Sequence, residues 1–385
     1  MSLQNEMTVP DLSAATDKEQ SSQSTLNEDT DDIIHQNEEI INNSDEDIDD
    51  FDFGAYDTWG YDRLSTVSMS ELFENVYRSK PPIIDGLLYR GVYIFAGAPK
   101  LGKSFLMSQL AYHISTGTSM WNYTVHKGTV LYLALEDDLR RLQERMYRMF
   151  GTAQNENLYF SVSADKIGGS LEDQLAGFVA EHTKTSLIII DTLQKVRECK
   201  NDNYSYASDY DIIAKMKSFA DKNCICMILV HHTRKQDAND KFDMISGTNG
   251  LLGAADGAFV LVKEKRTSNA AVLDISGRDQ QDQKLYLNRN PDTLIWDLDK
   301  AETELWKEPP DPFLDRISDW LSANENKWSG SPTGLVQALD LELKPNTLTQ
   351  KLNVNADRLF NEYKIIYKST RSHEGRKISL SKSLA

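Results

Sequence analysis

The sequence predicts an α/β fold, a largely parallel sheet wrapped by helices, preceded by a disordered acidic tail and followed by a small unit of three helices and a hairpin. Three observations predict it. Apolar strand-like runs alternate with helix-periodic segments from about residue 83 to 300, the rhythm of a parallel sheet. The glycine-bearing loop 97–104 follows one such run and opens a helix. Charge is segregated, because residues 1–60 hold 17 Asp/Glu against one Lys and the other 325 residues contribute only −1 of the net −17.

At 385 residues and 40% hydrophobic content the chain can bury a full core and form two or three units. Boundaries are expected at a disordered tail over 1–55, a sheet-bearing domain over 56–308 and a helical unit over 309–385. The tail has no Phe, Tyr or Trp before Phe51, so it cannot offset the entropy of ordering. It reads as a solubilising leader, an interaction arm, or a mimic of nucleic-acid charge. Residues 51–60 mix aromatics with acids and suit a short docking arm. Neither a secretory leader nor an apolar run of about 18 residues is present, so a cytoplasmic protein with no membrane span is expected. Cys199, Cys224 and Cys226 match neither a disulfide framework nor zinc spacing, and read as packing residues.

Residues 69–78 predict a helix capped by Ser68, with Glu71 closing a capping box. Residues 92–96 then read as a buried strand, and residues 105–114 as a helix. Between them the pattern G-x-x-x-x-G-K-[ST] makes Gly97, Ala98, Pro99, Lys100, Leu101, Gly102, Lys103, Ser104 and the adjoining Phe105 the candidate nucleotide-binding run. Backbone N–H groups and the positive helix end would cradle the β-phosphate, Lys103 would reach the β- and γ-phosphates, and Ser104 would ligate Mg²⁺.

A strand over 128–135 ends in Glu136, Asp137 and Asp138. A carboxylate at such a strand end lies where ligands bind in open α/β sheets, so Glu136 is the candidate for orienting the attacking water. The competing reading is a cap for the helix 139–150, whose Arg140, Arg141, Arg145 and Arg148 read as a solvated or interface face. A strand and helix follow over 158–163 and 171–182. The run 186–191 ends in Asp191, placed to hold Mg²⁺ together with Ser104. Residues 194–210 form a polar loop, either functional or a plain connection. A helix over 210–222 leads to a strand over 224–230 and the pair His231 and His232. Adjacent strand residues face opposite ways, so one histidine at most faces the γ-phosphate, and His232 is the choice.

A small-residue helix in 246–256 precedes strands over 258–262, 270–276, 284–288 and 293–297. Arg278 is a candidate arginine finger for a neighbouring subunit, in competition with Lys263, Lys265, Arg266 and a plain salt bridge to Asp279. The proline-rich run 308–312 marks a boundary. Helices over 313–323, 332–340 and 347–360, with strands over 365–369 and 376–380, make a winged-helix pattern. Residues 358–385 hold seven Lys/Arg and two Asp/Glu, which suits phosphate contact, although such units also bind only proteins.

With residues 97–104, 131–137, 188–193, 230–235, Ser246-Gly-Thr and Gly277-Arg-Asp279 in this order, the chain resembles the RepA-like branch of the RecA/DnaB-type ATPases over about 80–300. The resemblance implies a RecA-like core, ATP and Mg²⁺ as cofactors, and a hexameric ring helicase with ATP sites between subunits. It implies single-stranded DNA and replication proteins as partners, in the replication of a plasmid, phage or other mobile element. Lys103, Ser104, Glu136, Asp191 and a histidine of the 231/232 pair take the family's ATP-site roles. A regulatory or helicase-loading ATPase carries the same motifs. A recombinase fits less well, because residues 238–246 offer no extended aromatic and basic loop.

Overall fold

The computed structural model describes residues 66–78, 81–197, 206–233, 241–245, 249–263, 265, 267–278, 280–303, 310–373 and 375–382. The acidic tail, Cys199, Arg266, Asp279, residues 198–205, 234–240 and 246–248 lie outside them, and the ends of the predicted loop 194–210 are helical instead.

Helix α1 (Met69–Glu74) starts with the expected capping box, Ser68 Oγ accepting from Glu71 N at 3.2 Å and Glu71 accepting from Ser68 N at 2.8 Å. Strand β1 (Gly91–Gly97) is buried throughout and leads through the loop to α2 (Lys103–Thr116). Then come β2 (Thr129–Ala134), α3 (Leu139–Phe150), β3 (Leu158–Ser161), α4 (Leu171–Glu181), β4 (Thr185–Asp191), the short α5 (Leu193–Val196), α6 (Tyr206–Lys222) and β5 (Cys226–His232). After α7 (Asn249–Ala254), the strands β6 (Gly257–Val262), β7 (Ala270–Gly277), β8 (Gln283–Arg289) and β9 (Trp296–Thr303) complete the sheet. The last strand starts three residues later than the pattern predicts and runs six further.

Among the described residues these nine strands run in the order β3-β2-β4-β5-β1-β6-β7-β8-β9. The first six are parallel and the last three antiparallel. Alternation along β1 sends Tyr93 and Phe95 into one core layer and Val92, Ile94 and Ala96 into the other, so both faces of the sheet are covered by helices. Register decides what meets at the carboxyl ends. Gly97 pairs with His232, and Ala134 pairs with Asp191. Cys226 is buried in the first layer, a packing role, and burial pushes its thiol far up.

The C-terminal unit contains α8 (Pro312–Ala323), β10 (Lys327–Gly330), α9 (Pro332–Ala338), α10 (Pro345–Val354), α11 (Ala356–Tyr363), β11 (Ile365–Ser372) and β12 (Gly375–Lys382). A third core, with Leu314, Ile317, Leu335, Leu348 and Leu359, fills it. Two features depart from expectation. The helix predicted over 347–360 is broken at Asn355, whose side-chain amide donates to the Lys351 carbonyl at 2.9 Å and competes with the backbone ladder there. The four-residue β10, pairing with β12, is too short to show a period.

Helix α1 packs on this unit. The Asn353 amide donates to the Phe73 carbonyl at 3.0 Å, Arg78 donates to the Tyr367 carbonyl at 3.1 Å, and Val76 lies against the third core. Glu74 Oε2 accepts from Arg371 at 3.1 Å and from Arg376 at 3.4 Å, two residues that stand directly opposite in the hairpin.

Candidate active site

The loop after β1 is shaped by its glycines. A Cβ on Gly97 would stand 2.9 Å from the Leu261 carbonyl, and Gly102 has φ 102°, a left-handed conformation that other residues resist. Helix α2 then starts at Lys103 without a side-chain cap, so its first amides remain for an anion. Lys103 Nζ folds back to donate to the carbonyls of Gly97 at 2.8 Å and Ala98 at 3.1 Å. Burial pulls this ammonium below the ordinary lysine range, and Asp191 and Glu136 oppose that pull.

Asp191 closes β4 facing the loop. Its Oδ2 accepts from the Ser104 hydroxyl at 2.7 Å and from the Tyr132 phenol at 2.8 Å. Burial first, then the Asp191 charge, holds that phenol well above its usual range. A hydroxyl and a carboxylate in contact beside an anion cradle fit Mg²⁺, which takes few protein oxygens and keeps several waters. Among the described residues there is no group of three or more His, Cys, Asp or Glu arranged to hold a metal without other ligands.

Glu136 lies in the turn after β2 and lines the cleft. The capping role falls to Asp138, which accepts from Arg141 N at 2.8 Å, while Asp137 pairs with Arg145 at 2.6 Å. His232 ends β5 with Nδ1 3.3 Å from Lys103 Nζ, and His231, one residue earlier, is buried as alternation requires.

The cleft has a volume of about 540 Å³ and is lined by Pro99, Lys100, Gly102, Lys103, Ser104, Phe105, Glu136, Arg145, Asp191, His232 and Arg289. A separate apolar void of about 20 Å³ between α2 and the sheet is too small for a ligand. Arg278 is not among the lining residues. Its guanidinium donates to the Gly253 carbonyl at 3.1 Å on an exposed surface. Lys263 packs over the Trp296 ring at 5.2 Å and donates to the Ser268 carbonyl at 2.8 Å.

Sequence reasoning missed Tyr132, Arg145, Arg289 and Trp296. Arg145 belongs to no solvated face, since its side chain is only 12% exposed and lies over Phe105 at 5.2 Å. Its spacing three after Leu142 and four before Met149, the buried stripe of α3, was the available signal. Tyr132 was marked only by being the one aromatic in an aliphatic strand. Arg289 and Trp296 carry no local signal, because they reach the loop from the far end of the sheet.

Residues 62–238, just under half the chain, match a family described as an AAA domain. No curated protein matches the chain. Among solved structures, one described as an ATPase domain is 14% identical with a TM-score of 0.46, over 54% of this chain and 84% of that one. A DnaB-like replicative helicase, described with its interactions with primase, is 13% identical with a TM-score of 0.47, over 57% of this chain and 62% of that one. A KaiC-like protein from Pyrococcus horikoshii is 12% identical with a TM-score of 0.41, over 59% and 99%. The chain thus spans under two thirds of that helicase. Likenesses of this degree carry no functional argument. The family match and the geometry of the loop support a nucleotide-binding P-loop ATPase core built on a mixed α/β sheet. No helix among the described residues is long and apolar enough to cross a membrane.

Proposed function

We propose that the chain is an ATP-hydrolysing RecA-fold motor of the RepA-like kind, a ring-shaped DNA helicase in the replication of a plasmid, phage or other mobile element. The observation that carries this reading is the meeting of Lys103, Ser104, Glu136, Asp191 and His232 around one cleft at the carboxyl ends of parallel strands. Loop amides and Lys103 take the phosphates. Ser104 and Asp191 would hold Mg²⁺, which would supply neutralisation of phosphate charge. Glu136 orients the water, and His232 reports the γ-phosphate. Arg278, exposed and outside its own chain's cleft, is suited to completing a neighbour's site in a hexameric ring. The C-terminal unit is read as a winged helix. Its hairpin, residues 365–382, carries five Lys/Arg and one Glu, in keeping with single-stranded DNA as partner. A cytoplasmic setting and contact with replication proteins belong to the same reading.

Strand separation on a forked duplex, measured beside ATP turnover with and without single-stranded DNA, tests it. DNA-stimulated turnover with separation is the expected result. Turnover without separation would identify a switch or helicase loader instead, and absence of turnover would remove the ATPase assignment.

A further inference from the structure

Arg289, the last residue of β8, reaches the phosphate loop from the antiparallel end of the sheet. Its guanidinium carbon lies 5.7 Å from the Phe105 ring centroid and 5.6 Å from that of Trp296. Its Nη1 presses so closely on the loop that a Cβ on Gly102 would stand 2.9 Å away. Trp296 holds it there, being fixed in turn by Gln109, which accepts from its backbone N at 2.8 Å and donates to its carbonyl at 2.9 Å.

What sets Arg289 apart is the missing counter-charge. Arg145, the other guanidinium in the cleft, is paired with Asp137 at 2.6 Å. No carboxylate pairs with Arg289 among the described residues, and its Nε is buried without a hydrogen-bond partner. A half-buried guanidinium with no counter-charge and a buried, unpartnered Nε is costly, and two aromatic neighbours offset only part of that cost. Its field also reaches Lys263, which is held low by burial and then by Arg289. Aromatic rings leave the N–H edge of the fork available for an anion, and the adjoining amides of residues 102–105 are where an anion would sit.

We propose that Arg289 is a nucleotide-binding residue supplied by the same chain, its N–H edge hydrogen-bonding a phosphate of the nucleotide seated on residues 102–105. This rests on the nucleotide-site reading above. Contact with a phosphate has a signature that contact with a base lacks: its loss is felt equally whatever the base.

Equilibrium binding of ATP, GTP, CTP and ADP with Mg²⁺ to full-length wild type, Arg289→Gln, Arg289→Lys and Lys103→Ala tests it. Arg289→Gln should weaken ATP, GTP and CTP by the same factor, roughly 10- to 100-fold for a charge-assisted bond, with ADP losing as much if the contact is to the α- or β-phosphate and being spared if the contact is to the γ-phosphate. Should that variant melt below wild type, Arg289→Lys, which keeps charge and stem, carries the test and should lose several-fold, again equally. Losses that differ between ATP, GTP and CTP would reassign Arg289 to the base. Unchanged affinity would leave it a packing residue, and either result overturns the proposal. If wild type binds no nucleotide, or Lys103→Ala binds as well as wild type, the site reading itself fails and takes this one with it.

Discussion

Lys103 Nζ stands 3.3 Å from His232 Nδ1, so the imidazole accepts from the ammonium only while it is neutral. Burial, and after it the Lys103 charge, hold His232 below the ordinary histidine range, against Glu136 and Asp191. A base held low binds fewer protons folded than unfolded, so its contribution to stability falls as pH drops from the ordinary value toward the folded one. Removing the ammonium with Lys103→Met should therefore raise the His232 midpoint, followed by NMR titration of the imidazole C–H signals. An unmoved midpoint would assign the shift to burial alone.

Glu136→Gln keeps the shape of the cleft and the phosphate contacts while weakening the hold on the attacking water. Nucleotide binding should stay within a few-fold of wild type, and turnover should fall by about 10²-fold or more. Normal turnover would demote Glu136 to a bystander, given that Asp138 already caps α3.

If Arg278 works across a subunit boundary, Arg278→Ala mixed with Lys103→Ala should recover part of the turnover that each has lost, since a site can then draw intact halves from different chains. Particle mass under ATP and Mg²⁺, read by light scattering, should rise in parallel. A mixture no more active than its parents would return Arg278 to its own chain, where it meets the Gly253 carbonyl.

The hairpin arginines Arg371 and Arg376 stand opposite each other and share one carboxylate oxygen of Glu74. Opposed like charges repel, and Glu74 offsets this. The Arg371 pair is exposed, 74% and 47% for the two side chains, so its release should matter by a few-fold and not by decades. Glu74→Gln should tighten binding of a single-stranded oligonucleotide at low salt, with the gain fading as salt rises. In a background with Arg371→Ala and Arg376→Ala the gain should vanish. A gain that survives there would locate the contact elsewhere.

Much of the candidate site was legible because it is built from strand ends. A buried strand announces itself by an unbroken apolar run, and the first polar residue near its end sits at the rim, which is how Glu136 and Asp191 were singled out, while the opposite facing of strand neighbours chose His232 over His231. The loop 97–104 was legible because its glycines answer to local geometry. Arg289 and Trp296 were not, since nothing near them in the chain differs from an ordinary edge strand and only the return of β9 onto α2 brings them to Gly102. The docking of α1 was hidden for the same reason. Its capping box predicts a helix, while its partners Asn353 and Tyr367 lie almost 300 residues downstream. Asn355 could not be seen to split a helix, because the apolar spacing of Leu348, Leu352 and Leu359 runs on past it as in one helix.

Phe73, Glu74, Val76 and Arg78 buckle the start of the described chain to its end, a dozen residues in sequence before β1 and the phosphate loop. The molecule is in this sense a belt. The short mechanical route from hairpin to loop crosses the buckle and passes along residues 81–97, bypassing the two hundred or so residues of sheet and helix between them. The hydrogen bonds of Phe73 with Asn353 and of Arg78 with Tyr367, the Glu74 ion pairs and the packing of Val76 fasten the hairpin to the segment that leads toward the phosphate loop, so no single one of them holds the two ends together alone.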